Sequence, residues 1–329
     1  MIRFVGRYWF LLLLAVVISV GFGFSPTLEP VTKIPFLQNA IVVTVLFLMA
    51  FPLEFGDLHN AAKRPGPAAL GTLMNFGLLP LLAWGASLLV SGDLRIGVNI
   101  AAAIPCTLAS AAVWTRKAGG NDVAALVVTI VTNLLCFVVT PMWLKLTTGD
   151  SVSLDLGAMV SKLLILVVAP MMVGQLCRIP WSIGRWATAN RTTMSIAAQF
   201  GILSMVFLGC IGAGMSLRTL QEAAPPVGML ALTLGVVIGV HATALVVGYG
   251  SAQWLGMRPA DQIAVGISGS QKTLMVGLWL ANLFYPTQPL AILPLIAYHV
   301  SQLFIDTWVA DRHLQRQLAA AGDLTPDSS

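Results

Sequence analysis

Charge is what this chain has least of. Only 9% of its 329 residues are Asp, Glu, Lys or Arg, against about 25% in soluble domains, while 57% are hydrophobic. So little charge cannot coat a soluble globule. Cysteine is scarce too. Cys106, Cys136, Cys177 and Cys210 stand in or at the edges of apolar runs without paired spacing, which argues against a disulfide framework or a zinc motif and leaves them as packing residues. The chemistry of an enzyme is also missing. No HExxH occurs, and the run from Gly266 to Ser270 misses the GxSxG register and follows no strand pattern. Asp306 is the one acid well inside an apolar span, where a backbone amide, a hydroxyl or Arg312 is its expected partner. The net charge of +5 does not indicate nucleic acid, because the basic residues lie in short loops between apolar spans, a pattern that orients helices in a bilayer.

What remains is apolar sequence in lengths that cross a membrane. Runs of about 20 residues, enough for about 30 Å of hydrocarbon, fall near 8–24, 36–55, 67–91, 94–117, 121–146, 154–178, 192–215, 226–250, 259–284 and 288–310. The first follows Arg3 and Arg7 like a signal peptide, but it lacks a small-residue cleavage site and is expected to be retained. With ten spans, twelve of the 18 Lys and Arg fall on the side of the N-terminus and four on the other, leaving Lys162 and Lys272 inside spans. That bias places both termini in the cytoplasm of a cell inner membrane. The segment holding Trp181, Arg185 and Trp186 is expected to anchor at the interface, and 311–329 to form a polar, disordered cytoplasmic tail. Gly235 and Gly239 are expected to bring span eight close to a neighbouring helix.

One span is built unlike the others. Between Ala264 and Leu278 an apolar run carries Gly266, Gly269, Ser270, Gln271, Lys272 and Thr273. A lysine at the bilayer centre costs about 2.5–3.5 kcal/mol on insertion scales and therefore faces a cavity or a partner. Unwound backbone at that depth is tolerated only where protein or water covers its polar groups. The segment is expected to be a discontinuous helix lining a polar site. An offset of 162 residues places Leu58 on Leu220 and Ala61-Ala62 on Ala223-Ala224, and carries spans two to five onto seven to ten. Five spans per half requires two halves of opposite orientation, the inverted repeat common among secondary transporters. The same offset puts 267–273 on 105–111, and Pro105 breaks helical hydrogen bonding deep within span four. The expectation is an all-α polytopic membrane protein of ten helices in two inverted five-helix repeats, with helices 4 and 9 discontinuous.

These residues resemble a known family. The run from Pro105 to Val139, which includes TLASAAVWTRKAGGNDVAALVVTIVTNLL, together with GSQKTLMVGLWLA and LPLIAYHVSQL, is similar to the bile acid:sodium symporter family, in its SBF-like bacterial branch. The resemblance covers spans two to ten. It implies a single transporter unit over 1–310, with a panel part (1–55 and 154–215) and a core part (67–146 and 226–310). In the core the broken spans cross beside two sodium sites, and a small organic anion binds between the parts, which rock to alternate access. By position, Asn75 and Gln271 match amides of spans three and nine, and Thr129 a hydroxyl of span five. The departures matter more. The family's carboxylate on span nine falls on Ile267, an asparagine falls on Lys272, and a serine and an asparagine fall on Ala111 and Ala112.

A carboxylate lost and an ammonium gained change the site by two charge units. Lys272 is therefore expected to occupy the space of a sodium ion, its three donors directed at Asn75, Gln271 and nearby carbonyls. The coupling ion is sodium by resemblance, or a proton carried by Lys272. His241 and His299 lie near mid-membrane and are relay candidates, or else bond a backbone carbonyl. Ser110 and Thr115 offer oxygens to a residual cation, or bond their own helix. No cofactor beyond the coupling ion and no firm metal ligand is assigned. The alternative is a non-transporting regulator on a transporter fold. Substrate, direction and oligomeric state are open.

Overall fold

The computed structural model describes residues 2–53, 65–108, 110–149, 152–220 and 225–322. The loops matched across the repeat, 54–64 and 221–224, lie outside them. In chain order the helices are α1 Ile2–Gly23, α2 Ser25–Thr32, α3 Leu37–Ala50, α4 Gly66–Ser87, α5 Gly92–Ala103, α6 Ala111–Lys117, α7 Asp122–Thr148, α8 Leu156–Leu176, α9 Trp181–Ala189, α10 Arg191–Leu220, α11 Val227–Trp254, α12 Pro259–Ser270, α13 Leu274–Phe284 and α14 Ile292–Gly322. No strand occurs among the described residues. Six of these helices, α4, α7, α8, α10, α11 and α14, are long and apolar enough to cross a bilayer. The chain is a multi-pass membrane protein.

The interruptions have local causes. The expected fourth and ninth spans are each two short helices, α5 with α6 and α12 with α13. Ile104 leaves the helix with ψ near 160° ahead of Pro105, and Gln271 does so with ψ near 143°. The first span turns by about 100° between α1 and α2, where Pro26 starts the second helix. The second is shorter than expected: α3 has 14 residues and ends at Ala50, just ahead of Pro52, which has no N–H to continue the helix. α14 runs past Asp311 to Gly322 where a disordered tail is expected, since Leu, Gln, Arg and Ala there are all good helix formers.

α1, α2 and α3 pack on α10, and α3 also on α8. Separately, α12 packs on α11, α4 and α7, and α14 on α11 and α5. α13 reaches from α14 to α10 and α3, and Trp279 Nε1 donates to Asn39 Oδ1 across that contact at 2.9 Å. The glycine expectation needs correction. A Cβ on Gly235 or Gly239 would meet nothing within 4 Å, and the close approach of α11 is at Gly248, whose Cβ would lie 3.3 Å from Gly266 Cα. The GxxxG pair instead lines an open groove beside Leu82 and Ala86 of α4. α9 fits an interfacial anchor: Trp181 is 76% exposed and Trp186 57%, with Arg185 over the Trp181 ring.

Candidate functional site

Three pieces of local chemistry build the site. The first is a π-turn in α4 over Met74–Leu78. There the Leu79 N–H reaches Met74 O, and Pro80 has no N–H to offer. Asn75 O and Phe76 O are left without their usual helical partners. Trp143 Nε1 takes Phe76 O at 2.7 Å, and Lys272 takes Asn75 O. A wide turn placed by one proline thus turns a helix carbonyl into a cation acceptor.

The second piece is a polar stripe on α7. Thr129, Thr132, Asn133 and Thr140 share one face at helical spacing and are all buried. They satisfy the unwound backbone between α5 and α6. Thr140 Oγ1 donates to Ala103 O at 2.8 Å, Asn133 Nδ2 to Cys106 O at 2.8 Å, and Thr129 Oγ1 to Thr107 O at 3.4 Å, while Thr132 Oγ1 accepts from Cys106 N at 3.2 Å. Buried backbone must find partners of this kind.

The third piece clamps the break between α12 and α13. Asn75 Nδ2 donates to Ser268 O at 3.0 Å and to Gln271 O at 2.9 Å. Gln302 on α14 bonds both backbone groups of Lys272, accepting from N and donating to O at 2.9 Å each. Tyr298 Oη donates to Ser270 O at 2.7 Å. The two breaks also meet directly, with Thr273 N donating to Pro105 O at 3.0 Å.

Lys272 stands where these pieces converge and is 1% exposed. Its ammonium donates to Ile104 O at 2.7 Å, Asn75 O at 2.8 Å and Asn75 Oδ1 at 3.0 Å, and lies 5.3 Å from the Phe76 ring centre. Three N–H groups meet three oxygens contributed by two segments of chain. A monovalent cation in that space would need the same oxygens.

The side chain of Gln271 does not join them, contrary to expectation. Its Nε2 donates to Asp306 Oδ2 at 2.5 Å and its Oε1 accepts from Ser110 Oγ at 2.9 Å. The backbone turn that presents Gln271 O to Asn75 sends the side chain the other way. Asp306 likewise meets none of its expected partners. It is fully buried and bonds His241 Nε2 at 3.2 Å as well as Gln271, because residues 298, 302 and 306 rise along one face of α14 at intervals of four.

The other expected residues are more scattered. His241 Nδ1 reaches Ser270 O at 3.1 Å, while His299 Nδ1 meets Gln302 Nε2 at 2.9 Å. Ser270 Oγ returns to Gly266 O at 2.9 Å. Thr115 Oγ1 is buried and has no partner among the described residues. Ile267 lies in an apolar cluster with Ala118, Ile263 and Ala310. Sequence reasoning overlooked Thr132, Asn133, Tyr298 and Gln302. Their signal was the recurrence of polar side chains at helical spacing inside apolar helices.

The chain is similar over nearly its whole length to a transporter family and to proteins that carry transporter names. The profile of the SBF-like CPA transporter family matches residues 8–315. A protein of Escherichia coli K12 that bears the name of a symporter, YfeH, is 29% identical over 311 residues, which cover 90% of this chain and 91% of that one. PA2026 of Pseudomonas aeruginosa, named only as an uncharacterized protein, is 30% identical over 257 residues, 77% of this chain and 76% of its own. The Arabidopsis thaliana protein BASS4, named as a chloroplastic sodium/metabolite cotransporter, is 26% identical over 323 residues, 92% of this chain and 72% of its own.

Proposed function

Because the chain belongs to the SBF-like CPA transporter family, we propose that it is a secondary active transporter that moves a small organic anion by alternating access, driven by a coupled ion. The observation that carries this reading is a buried ammonium held at the meeting of two interrupted spans. A site with a fixed positive charge at mid-membrane attracts an anion, and half-helix ends beside it supply further donors and acceptors. In this reading α5–α6 and α12–α13 are the crossing pair of an inverted ten-helix repeat. α4–α7 and α11–α14 form the core, and α1–α3, α8 and α10 form the panel, with both termini in the cytoplasm of the inner membrane. Lys272 takes the role of a permanently bound cation, and the driving ion binds elsewhere or is a proton.

Proteoliposome uptake tests the proposal. Taurocholate and a panel of aliphatic and aromatic carboxylates are offered under a sodium gradient, a proton gradient, or both. Accumulation of at least one anion is expected, and it should fall when sodium is replaced by choline or when a protonophore collapses the proton gradient. Undiminished uptake after both treatments removes the ion coupling. No flux for any anion, together with stable capture of a protein partner, establishes the regulator instead.

A further inference from the structure

The buried edge between His241 and Asp306 has a hydrogen-bond count that does not close without an extra proton. His241 Nδ1 lies 3.1 Å from Ser270 O. A carbonyl has no hydrogen to give, so Nδ1 carries the N–H. In a neutral imidazole that leaves Nε2 as a bare acceptor, and Nε2 faces Asp306 Oδ1 at 3.2 Å. The other carboxylate oxygen is occupied as an acceptor, since Gln271 Nε2 donates to Oδ2. The count survives turning the Gln271 amide over, because the Ser110 hydroxyl can donate or accept and an Oε1 facing Oδ2 would itself require a proton on the carboxylate. Two lone pairs would therefore oppose each other on the His241–Asp306 edge unless one proton sits between them, on Nε2 or on Oδ1.

We propose that His241 and Asp306 form an exchangeable proton-binding site, occupied in this conformation, that supplies the coupling ion of the transporter. The inference rests on the transport reading for its role, though not for the existence of the proton. Lys272 is a poor carrier by comparison. All three of its N–H groups are engaged by Asn75 O, Asn75 Oδ1 and Ile104 O, so loss of a proton would leave one acceptor facing a lone pair. Loss of the proton from the His241–Asp306 edge likewise leaves two lone pairs opposed, but there a single contact holds it, between two groups that each exist in two forms.

The pair is wired to the breaks. His241 and Tyr298 both end on Ser270 O, and Asp306 ends on the Gln271 amide. Gln271 O in turn receives Asn75 Nδ2, and Asn75 Oδ1 receives Lys272. The titratable and charged groups around Asp306 are His241 from α11, Lys272 from the α12–α13 break and Cys106 from the α5–α6 break. Tyr298 and His299 lie on α14 itself. With the proton bound, His241 and Asp306 sum to zero and the cluster carries the single positive charge of Lys272. With it lost, the pair sums to minus one and the cluster is neutral. An anion is attracted only to the protonated cluster, so one proton accompanies each negative charge and the empty site returns uncharged.

The test needs no substrate. Purified full-length protein in detergent is titrated over the pH range in which it stays folded. Proton release is counted with an indicator dye, and infrared difference spectra are recorded with and without 13C-labelled aspartate. Wild-type protein is expected to release one proton per chain more than Asp306→Asn, with an imidazole or aspartate band pair that the variant lacks. His241→Gln is expected to lose the same proton from the other side, so a poorly folded Asp306→Asn does not stall the test. Equal proton release by wild-type protein and a folded variant, with no band pair lost, overturns the proposal. In proteoliposomes carrying an internal pH dye, anion uptake without proton movement overturns the coupling while leaving transport intact. A missing flux in protein that still releases the proton instead removes the transport reading.

Discussion

Replacing Lys272 with methionine tests the central contact of the site. Methionine keeps most of the volume and the unbranched shape but has no donor, so the packing around Phe76 and Ile104 survives while three hydrogen bonds vanish. The acceptors left behind, Asn75 O, Asn75 Oδ1 and Ile104 O, belong to residues that are 0%, 0% and 1% exposed. An orphaned buried acceptor costs about 1–3 kcal/mol, so three cost roughly 6 kcal/mol. Against this stands the relief of no longer burying an ammonium, about 3 kcal/mol on insertion scales. The balance is a loss of about 3 kcal/mol, or a melting temperature lower by about 6 °C at about 2 °C per kcal/mol for a chain of this size. The nine tryptophans make intrinsic fluorescence a convenient probe of unfolding in detergent. Asn75→Leu should cost less in the methionine background than in the wild type, by about 1 kcal/mol, because the two side chains share a bond. A Lys272→Met protein as stable as wild type would refute the reasoning, since it would mean that these oxygens never depended on the ammonium.

Three further outcomes follow from particular contacts. Thr132→Val keeps the shape of the side chain but leaves the Cys106 N–H without its acceptor, and should cost about 1–3 kcal/mol in thermal unfolding and depress transport. Gly97→Ala and Gly235→Ala should differ in sign. A Cβ at position 97 would sit 2.1 Å from the Ala291 carbonyl oxygen and must force α5 from α14, whereas one at 235 meets nothing within 4 Å and should stabilise the helix by up to about 1 kcal/mol. Trp279→Phe removes the hydrogen bond to Asn39 between α13 and α3. It should change transport rate more than melting temperature if the two helix groups move against each other, measured as initial uptake beside fluorescence unfolding.

Much of the architecture was legible in the residues alone, because its causes are local or compositional. Too little charge to face water and apolar runs of membrane length demand helices in a bilayer. Pro105 removes a helical hydrogen bond wherever the chain goes, and Gly266 and Gly269 weaken the helix that ends at Ser270, so the two interruptions were readable before any contact was known. The partners were readable only in part: Lys272 does meet Asn75 and a nearby carbonyl, as expected. Lys272 was expected to reach Gln271, its sequence neighbour, but two adjacent residues in extended backbone point apart, and Gln271 serves Asp306 instead. Asp306 was expected to meet a backbone amide, a hydroxyl or Arg312, yet a neighbour 65 positions earlier completes its bonding. Asn75 and Ile104 became ligands of one ammonium only when a π-turn freed one carbonyl and a proline-led break freed another. Composition and local backbone chemistry determined that this chain crosses a membrane and where its helices fail. Which polar groups then meet was decided by the tertiary structure, because a hydrogen bond depends on distance and direction in space, and every mid-membrane donor had several acceptors open to it along the chain.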